Sequence, residues 1–256
     1  FSAYRKTVQL EPAHPEAQLR LAAFYSSAGM AEEALNATQV VLHMDQDNTE
    51  ARLARAQALA QKEEYQAALE EIGTVLQSEP ENVNAHLLKG HCLVALDRTN
   101  EAESAFQHAA ELEKDSPRAQ YQLARFYAAS RNEEKIESTL KAIEGDFPED
   151  PTHSMNLARF YLQSGQPDQA EDELKQTSAK DPDNPQVHIA LARFYMIQGD
   201  RQAAEETLQE AIQELPEAIE PRLALGEMPL SLDQPDKAAD QFPAAAEPFP
   251  DDPRPL

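Results

Sequence analysis

An all-α solenoid of antiparallel helix pairs, each stacked on copies of itself, is predicted by three observations. First, Leu-Ala-Arg-Phe-Tyr occurs at Leu123–Tyr127, Leu157–Tyr161 and Leu191–Tyr195, with a near copy, Leu-Ala-Ala-Phe-Tyr, at Leu21–Tyr25, so the chain repeats every 34 residues. Second, alanine or glycine recurs at two fixed places in each period. Third, proline (18 residues) recurs at another fixed place while glycine (7 residues) is scarce, a balance that favours helices with rigid ends over sheets. A fixed period of this size marks one supersecondary unit that cannot bury its apolar face alone and must stack.

Numbering each repeat 1 to 34 places the repeats at 15–48, 49–82, 83–116, 117–150, 151–184, 185–218 and a degenerate seventh at 219–252, with no insertion. Residues 1–14 read as the second helix of a truncated repeat and 253–256 as the start of another, so the chain is expected to be a fragment of a longer array. Position 8 is small (Ala22, Ala56, Gly90, Ala124, Ala158, Ala192, Gly226), as is position 20 (Ala34, Ala68, Ala102, Ala170, Ala204, Ala238), with Ile136 the exception. Small side chains let helix backbones approach, and bulk elsewhere fills the space. That bulk stands at position 11 (Tyr25, Leu59, Leu93, Tyr127, Tyr161, Tyr195) and position 24 (Ile72, Phe106, Leu140, Leu174, Leu208, Phe242). Proline at position 32 (Pro12, Pro80, Pro148, Pro182, Pro216, Pro250) stops a helix, because it lacks an N–H and has a fixed φ. With Gly29, Gly165 and Gly199 near position 15, this gives a helix A over positions 1–14 and a helix B over 17–30.

Composition narrows the function. A net charge of −24 argues against a nucleic-acid or anionic-membrane binder, both of which need clustered Lys/Arg. One cysteine excludes an intrachain disulfide, and no stretch reaches the ~18 apolar residues of a membrane span. The compartment stays open between the cytoplasm and a periplasmic or outer-membrane-attached setting in a bacterium.

The pattern of small residue at 8, aromatic or Leu at 11, Ala at 20, large residue at 24 and Pro at 32 resembles the tetratricopeptide repeat (TPR) family over nearly the whole chain. The resemblance implies a right-handed superhelix whose A helices line a concave groove, and a role in binding proteins. Some TPR proteins clamp a C-terminal carboxylate with Lys and Asn at positions 2, 6 and 9. Positions 2 and 6 here, such as Glu16, Arg20, Thr152 and Asn156, do not reproduce that clamp. The large residue usual at position 4 is also replaced, by Gln18, His86, Ser154 and others.

By the family geometry position 9 faces the groove, and successive repeats place His91, Arg125, Arg159 and Arg193 there. Helices pack about 8–10 Å apart, so neighbouring position-9 residues would be on the order of 10 Å apart, forming a basic ladder. Helix A carries ten Lys/Arg against four acids, while helix B holds acidic pairs such as Glu133-Glu134 and Glu205-Glu206. Arginine suits such a groove because its fork grips carboxylates bidentately. Tyr121 and Met155 at position 5, with Gln122 and Asn156 at position 6, complete the candidate partner-binding set. The competing reading is that these arginines pair with a neighbouring helix's Glu or cover Ala-rich helices with their stems, and that Tyr121 and Met155 belong to the inter-repeat core.

No Gly-rich phosphate loop, nucleophile elbow or zinc spacing is present, so no catalytic residue, cofactor or metal ligand is assigned. Cys92 reads as a packed small residue, and His86 and His91 diverge on their helix. The expected function is a non-enzymatic scaffold for a protein or peptide segment with acidic groups. The alternative is a structural spacer or self-assembling part of a larger complex, such as a bacterial envelope or polysaccharide-export assembly, with homo-oligomerisation left open. The seventh repeat departs from the pattern: Pro229 stands at position 11, and Pro243 and Pro248 fall inside helix B. Interior prolines cost ~3 kcal/mol each. Because the surrounding register is well kept, these three positions are expected to carry other residues in the natural protein.

Overall fold

The computed structural model describes residues 1–231, the side chains of the last three excepted, and consists of helices without a strand among those residues. Packing divides the chain into two units, Phe1–Asn132 and Glu133–Leu256. The first holds α1 (Ser2–Leu10), α2 (Pro15–Ser27), α3 (Ala31–Met44), α4 (Thr49–Gln61), α5 (Tyr65–Ser78), α6 (Val83–Ala95), α7 (Thr99–Leu112) and α8 (Arg118–Ala129). The second holds α9 (Glu133–Asp146), α10 (Thr152–Gln163), α11 (Pro167–Lys180), α12 (Pro185–Gln198), α13 (Arg201–Glu214) and α14 (Glu220–Ser231). Helix A thus covers positions 1–13 within a residue at each end, helix B covers 17–30 throughout, and α1 ends at Leu10, position 30 of its truncated repeat. Within each unit consecutive helices pack on one another, giving the solenoid of helix pairs that the period predicts.

Turn chemistry sets the ends. Asn48, Asn82 and Asn184 precede the first turns of α4, α6 and α12, and their side chains accept the N–H groups of Ala51, Ala85 and Gln186 at 2.9, 2.9 and 3.0 Å. An acid three residues earlier holds each amide: Asp45, Glu79 and Asp181 accept from them at 3.3, 2.7 and 2.8 Å. Position 15 turns the chain between helices in the left-handed region. Gly29, Gly165 and Gly199 take φ of 71–81° there, and Glu63, Asp97 and Arg131 do so at 53–63° despite carrying a Cβ.

Three side-chain interlocks recur. Inside a repeat, the sizes at positions 8 and 24 compensate. A Cβ on Gly90 would meet the Phe106 ring at 2.7–2.8 Å, so the repeat with phenylalanine at 24 carries glycine at 8. Repeats with the smaller Ile72, Leu174 or Leu208 carry alanine. The seventh repeat also has glycine at 8, Gly226, and phenylalanine at 24, Phe242, which lies outside the described residues.

Between repeats, position 11 meets position 21 of the preceding repeat, 24 residues earlier. Tyr127, Tyr161 and Tyr195 donate to Glu103, Glu137 and Glu171 at 2.9, 3.0 and 2.9 Å. Lys141 and Lys175 hold the latter two glutamates at 2.7 Å. These ammonium groups, ahead of the phenols, keep both carboxyls below the usual range, while burial pushes the Tyr161 and Tyr195 phenols up. Where position 11 is leucine, position 21 is leucine too: Leu35 packs in the cluster that contains Leu59, and Leu69 stands 24 residues before Leu93.

The third interlock shows what several of the polar residues at position 4 do. Gln18, His86, His188 and Arg222 donate to the carbonyls of Pro12, Pro80, Pro182 and Pro216 at 2.7, 2.8, 2.8 and 3.0 Å. In these four repeats position 4 satisfies the proline carbonyl of the preceding repeat, which a large apolar residue would leave bare, whereas Arg52 and Ser154 bond to Glu71 and Glu144 instead.

Helix α14 continues through Pro229 to Ser231 and is not broken there, although Pro229 has no N–H for the Leu225 carbonyl. Pro243 and Pro248 lie outside the described residues. Glu205, the position-21 residue 24 before Pro229, is ion-paired with Arg201 at 2.6 Å.

Two outcomes follow from the interlocks. Gly90→Ala lowers unfolding stability by ~1–3 kcal/mol in urea titration, and adding Phe106→Leu, which gives the Ala–Leu pair of repeats five and six, recovers most of it. Pro229→Tyr supplies the helix N–H that proline lacks and the tyrosine that repeats four to six carry at position 11. It should stabilise the C-terminal unit by ~3 kcal/mol, read as slower amide exchange along α14.

Candidate functional site: the position-9 row

Position 9 points outward in every repeat. Ala23, Gln57, His91, Arg125, Arg159, Arg193 and Glu227 are all exposed, so packing places no demand on the residue there. Position 8 beside it is buried in each repeat. The helix therefore anchors through one residue and presents the next.

Within the first unit, His91 on α6 and Arg125 on α8 are electrostatic neighbours. The His91 ring lies edge-on to Phe106, centroids 5.1 Å apart. That partial burial, and then the Arg125 charge, lowers its pKa, so the ring is neutral at pH 7. Burial and the Arg125 charge both disfavour the charged imidazole, so the three arginines are the permanent cations of the row. Arg125 makes no hydrogen bond or ion pair among the described residues. Tyr121 and Gln122, a turn before it on α8, are half-buried.

Within the second unit, Arg159 donates to Asn156 Oδ1 at 2.5 Å, so two candidate residues of α10 act together, with Met155 half-buried beside them. Arg193 on α12 makes no ion pair or hydrogen bond among the described residues. Elsewhere cations are engaged: Arg52 and Arg55 hold Glu71 at 2.7 and 3.4 Å, Lys62 holds Glu32 at 2.7 Å, and Arg118 holds Glu113 at 2.7 Å. The pairing of position-9 arginines with a neighbouring helix's glutamate is therefore not found at Arg125 or Arg193.

The remaining candidates are structural. Burial pushes the Cys92 thiol up to about 11, which keeps it protonated and unreactive at neutral pH. His153 and His188 have partners that the sequence did not disclose: His153 packs against Phe147, centroids 5.7 Å apart, and His188 joins Pro182 and Ser178. No group of three His, Cys, Asp or Glu residues that could hold a metal occurs among the described residues. No described helix is long and apolar enough to cross a membrane.

Comparison with known proteins agrees with the fold of stacked helix pairs. Models described as "Tetratricopeptide repeat" match residues 135–194 and 185–228, and one described as "Anaphase-promoting complex, cyclosome, subunit 3" matches 29–109. The chain belongs to the tetratricopeptide repeat family. Its fold is similar to that of Pseudomonas aeruginosa pilF, with TM-score 0.55 and 18% identity, over 83% of this chain and 97% of that one. It is also similar to a tetratricopeptide repeat protein from Parabacteroides merdae, with TM-score 0.50 and 14% identity, over 92% and 93%. Yeast Tom70 is similar at TM-score 0.58 and 14% identity over 96% of this chain, which spans 54% of the Tom70 chain. No curated protein sequence matches the chain.

The titration of one interlock can be tested in solution. Burial, then the nearby His108 and Lys89 charges, lowers the His86 pKa against the raising effect of the Pro80 carbonyl. Because the folded-state pKa lies below the unfolded one, the neutral ring's contribution is complete above about pH 6.5 and is lost as pH falls through the folded value. His86→Gln, which borrows the residue of position 4 in the first repeat, keeps the donor. Its unfolding midpoint should match the parent at pH 8 and exceed it at pH 5.

Proposed function

We propose that this TPR protein is a non-enzymatic scaffold that binds a protein segment, extended or helical, along the exposed face of its A helices. Arg125, Arg159 and Arg193 engage acidic groups on that segment. One observation carries the reading: the same exposed position holds arginine in three successive repeats, and two of these arginines have no carboxylate partner among the described residues in a chain of net charge −24. An exposed guanidinium left unneutralised in so acidic a protein is poised for a carboxylate from outside, and its planar fork favours that group. His91, neutral at pH 7, adds a flat polar contact in place of a charge, and Tyr121, Gln122, Met155 and Asn156 supply half-buried flanking contacts.

The family supports a binding role in place of catalysis, and no constellation of nucleophile and base emerges among the described residues. Replacing Arg125, Arg159 and Arg193 together by Ala should weaken binding of a captured partner segment by about two orders of magnitude, at ~1 kcal/mol per charged contact. The slope of affinity against salt should flatten as well. Isothermal titration at two salt concentrations reads both, and unchanged affinity rejects the arginine row as the site.

A further inference from the structure

A cavity of about 300 Å³ opens between α12, α13 and α14, beside Arg193. Ile189, Met196, Ile197 and Met228 form much of its wall, and Arg193 from α12 and Glu227 from α14 also line it. The volume is at the small end of ligand pockets and suits about one large side chain. Two features separate this place from its counterparts in other repeats. Positions 12 and 13 read Ser26-Ser27, Ala60-Gln61, Val94-Ala95, Ala128-Ala129 and Leu162-Gln163, and only in the sixth repeat are both large and apolar, as Met196-Ile197. Ile197 is also 70% exposed, so a large aliphatic side chain stands in water at the pocket mouth. Methionine walls adapt to the shape of whatever enters. Arg193, exposed and without a carboxylate partner among the described residues, supplies a cation at the edge.

We infer that this pocket takes a bulky aliphatic side chain from the partner segment, with a carboxylate directly beside that side chain bound by Arg193. The inference rests on the binding role proposed above and names the chemistry of one contact within it. The order of the two groups follows from the geometry: the apolar walls desolvate the side chain, and Arg193 at the rim holds the carboxylate where it keeps part of its hydration. Glu227 on the same rim disfavours a second acid close by, so the motif is a single acid next to the aliphatic residue.

The five methionines provide the test. In protein carrying 13C-methyl methionine, Met196 and Met228 report on the pocket, while Met30, Met44 and Met155 are controls outside it. Three probes share one side chain and differ in charge: N-acetyl-leucine is an anion, N-acetyl-leucinamide is neutral and leucinamide is a cation. Saturable shifts at Met196 and Met228 alone are expected, with the anion binding about three- to tenfold tighter than the neutral probe. Arg193→Ala should remove that difference while leaving the neutral probe's affinity unchanged, and Glu227→Gln should tighten the anion. No response at Met196 and Met228 to any probe in the full chain, as when residues beyond 231 already fill the pocket, overturns the inference. So does tighter binding of the cation, which would make Glu227 the governing charge. Neither result touches the triple-arginine experiment, which can still succeed and leave the binding role standing without this pocket.

Discussion

The rest of each unit depends on the close approach of the paired helices inside it, α2 with α3, α4 with α5 and α6 with α7 in the first, and α10 with α11 and α12 with α13 in the second. Position 8 holds only alanine or glycine, and at Gly90 even a Cβ would collide with the Phe106 ring. Leu93, Phe106, Ile72 and Leu208 are nearly inaccessible to water, and the alanines at positions 8 and 20 are almost as deep. A thin, Ala-rich solenoid buries modest apolar area per turn, so such contacts matter individually. Once the pair is close, its outer faces are fixed. Helix B then presents position 21 to position 11 of the next repeat, and the loop after it presents its proline carbonyl to position 4. Stacking therefore follows from the fit inside the unit.

Two chemistries serve the same inter-repeat contact. The leucine pair at Leu35 and Leu59 is purely apolar, whereas Tyr161 with Glu137 and Lys141 is a polar bridge whose members satisfy one another. The chain changes from one to the other between the third and fourth repeats, and position 9 becomes arginine at that same fourth repeat. The seventh repeat keeps the acceptor, Glu205, but has Pro229 where the phenol would be. Glu205 is instead held by Arg201 on its own helix.

Much of the fold was legible in the sequence because period, small residues and prolines are one-dimensional signals. Helix bounds at 17–30 follow from them with no reference to contacts. The interlocks were not read out, although their letters were visible, because each is a pair. Gly90 means little until it is set against Phe106, and Tyr161 until it is set against Glu137, 24 residues earlier. Position 4 was missed for another reason. Its residues differ in type, as Gln18, His86, His188 and Arg222, and share only the ability to donate to a carbonyl. At the candidate site, exposure of position 9 was expected from the family resemblance. The neutrality of His91 was not, since it depends on Phe106 covering the ring.

The separation of fold from use is the central claim: position 8 builds the solenoid, and position 9 beside it is free to serve a partner. Thermal unfolding of the variant with Arg125, Arg159 and Arg193 all replaced by Ala tests it most directly. Exposed arginines without packing duties predict a melting temperature within a few degrees of the parent, since surface substitutions of this kind change stability by about ±0.5 kcal/mol each. A loss of 10 °C or more would contradict the account and assign the arginine row to holding the repeats together.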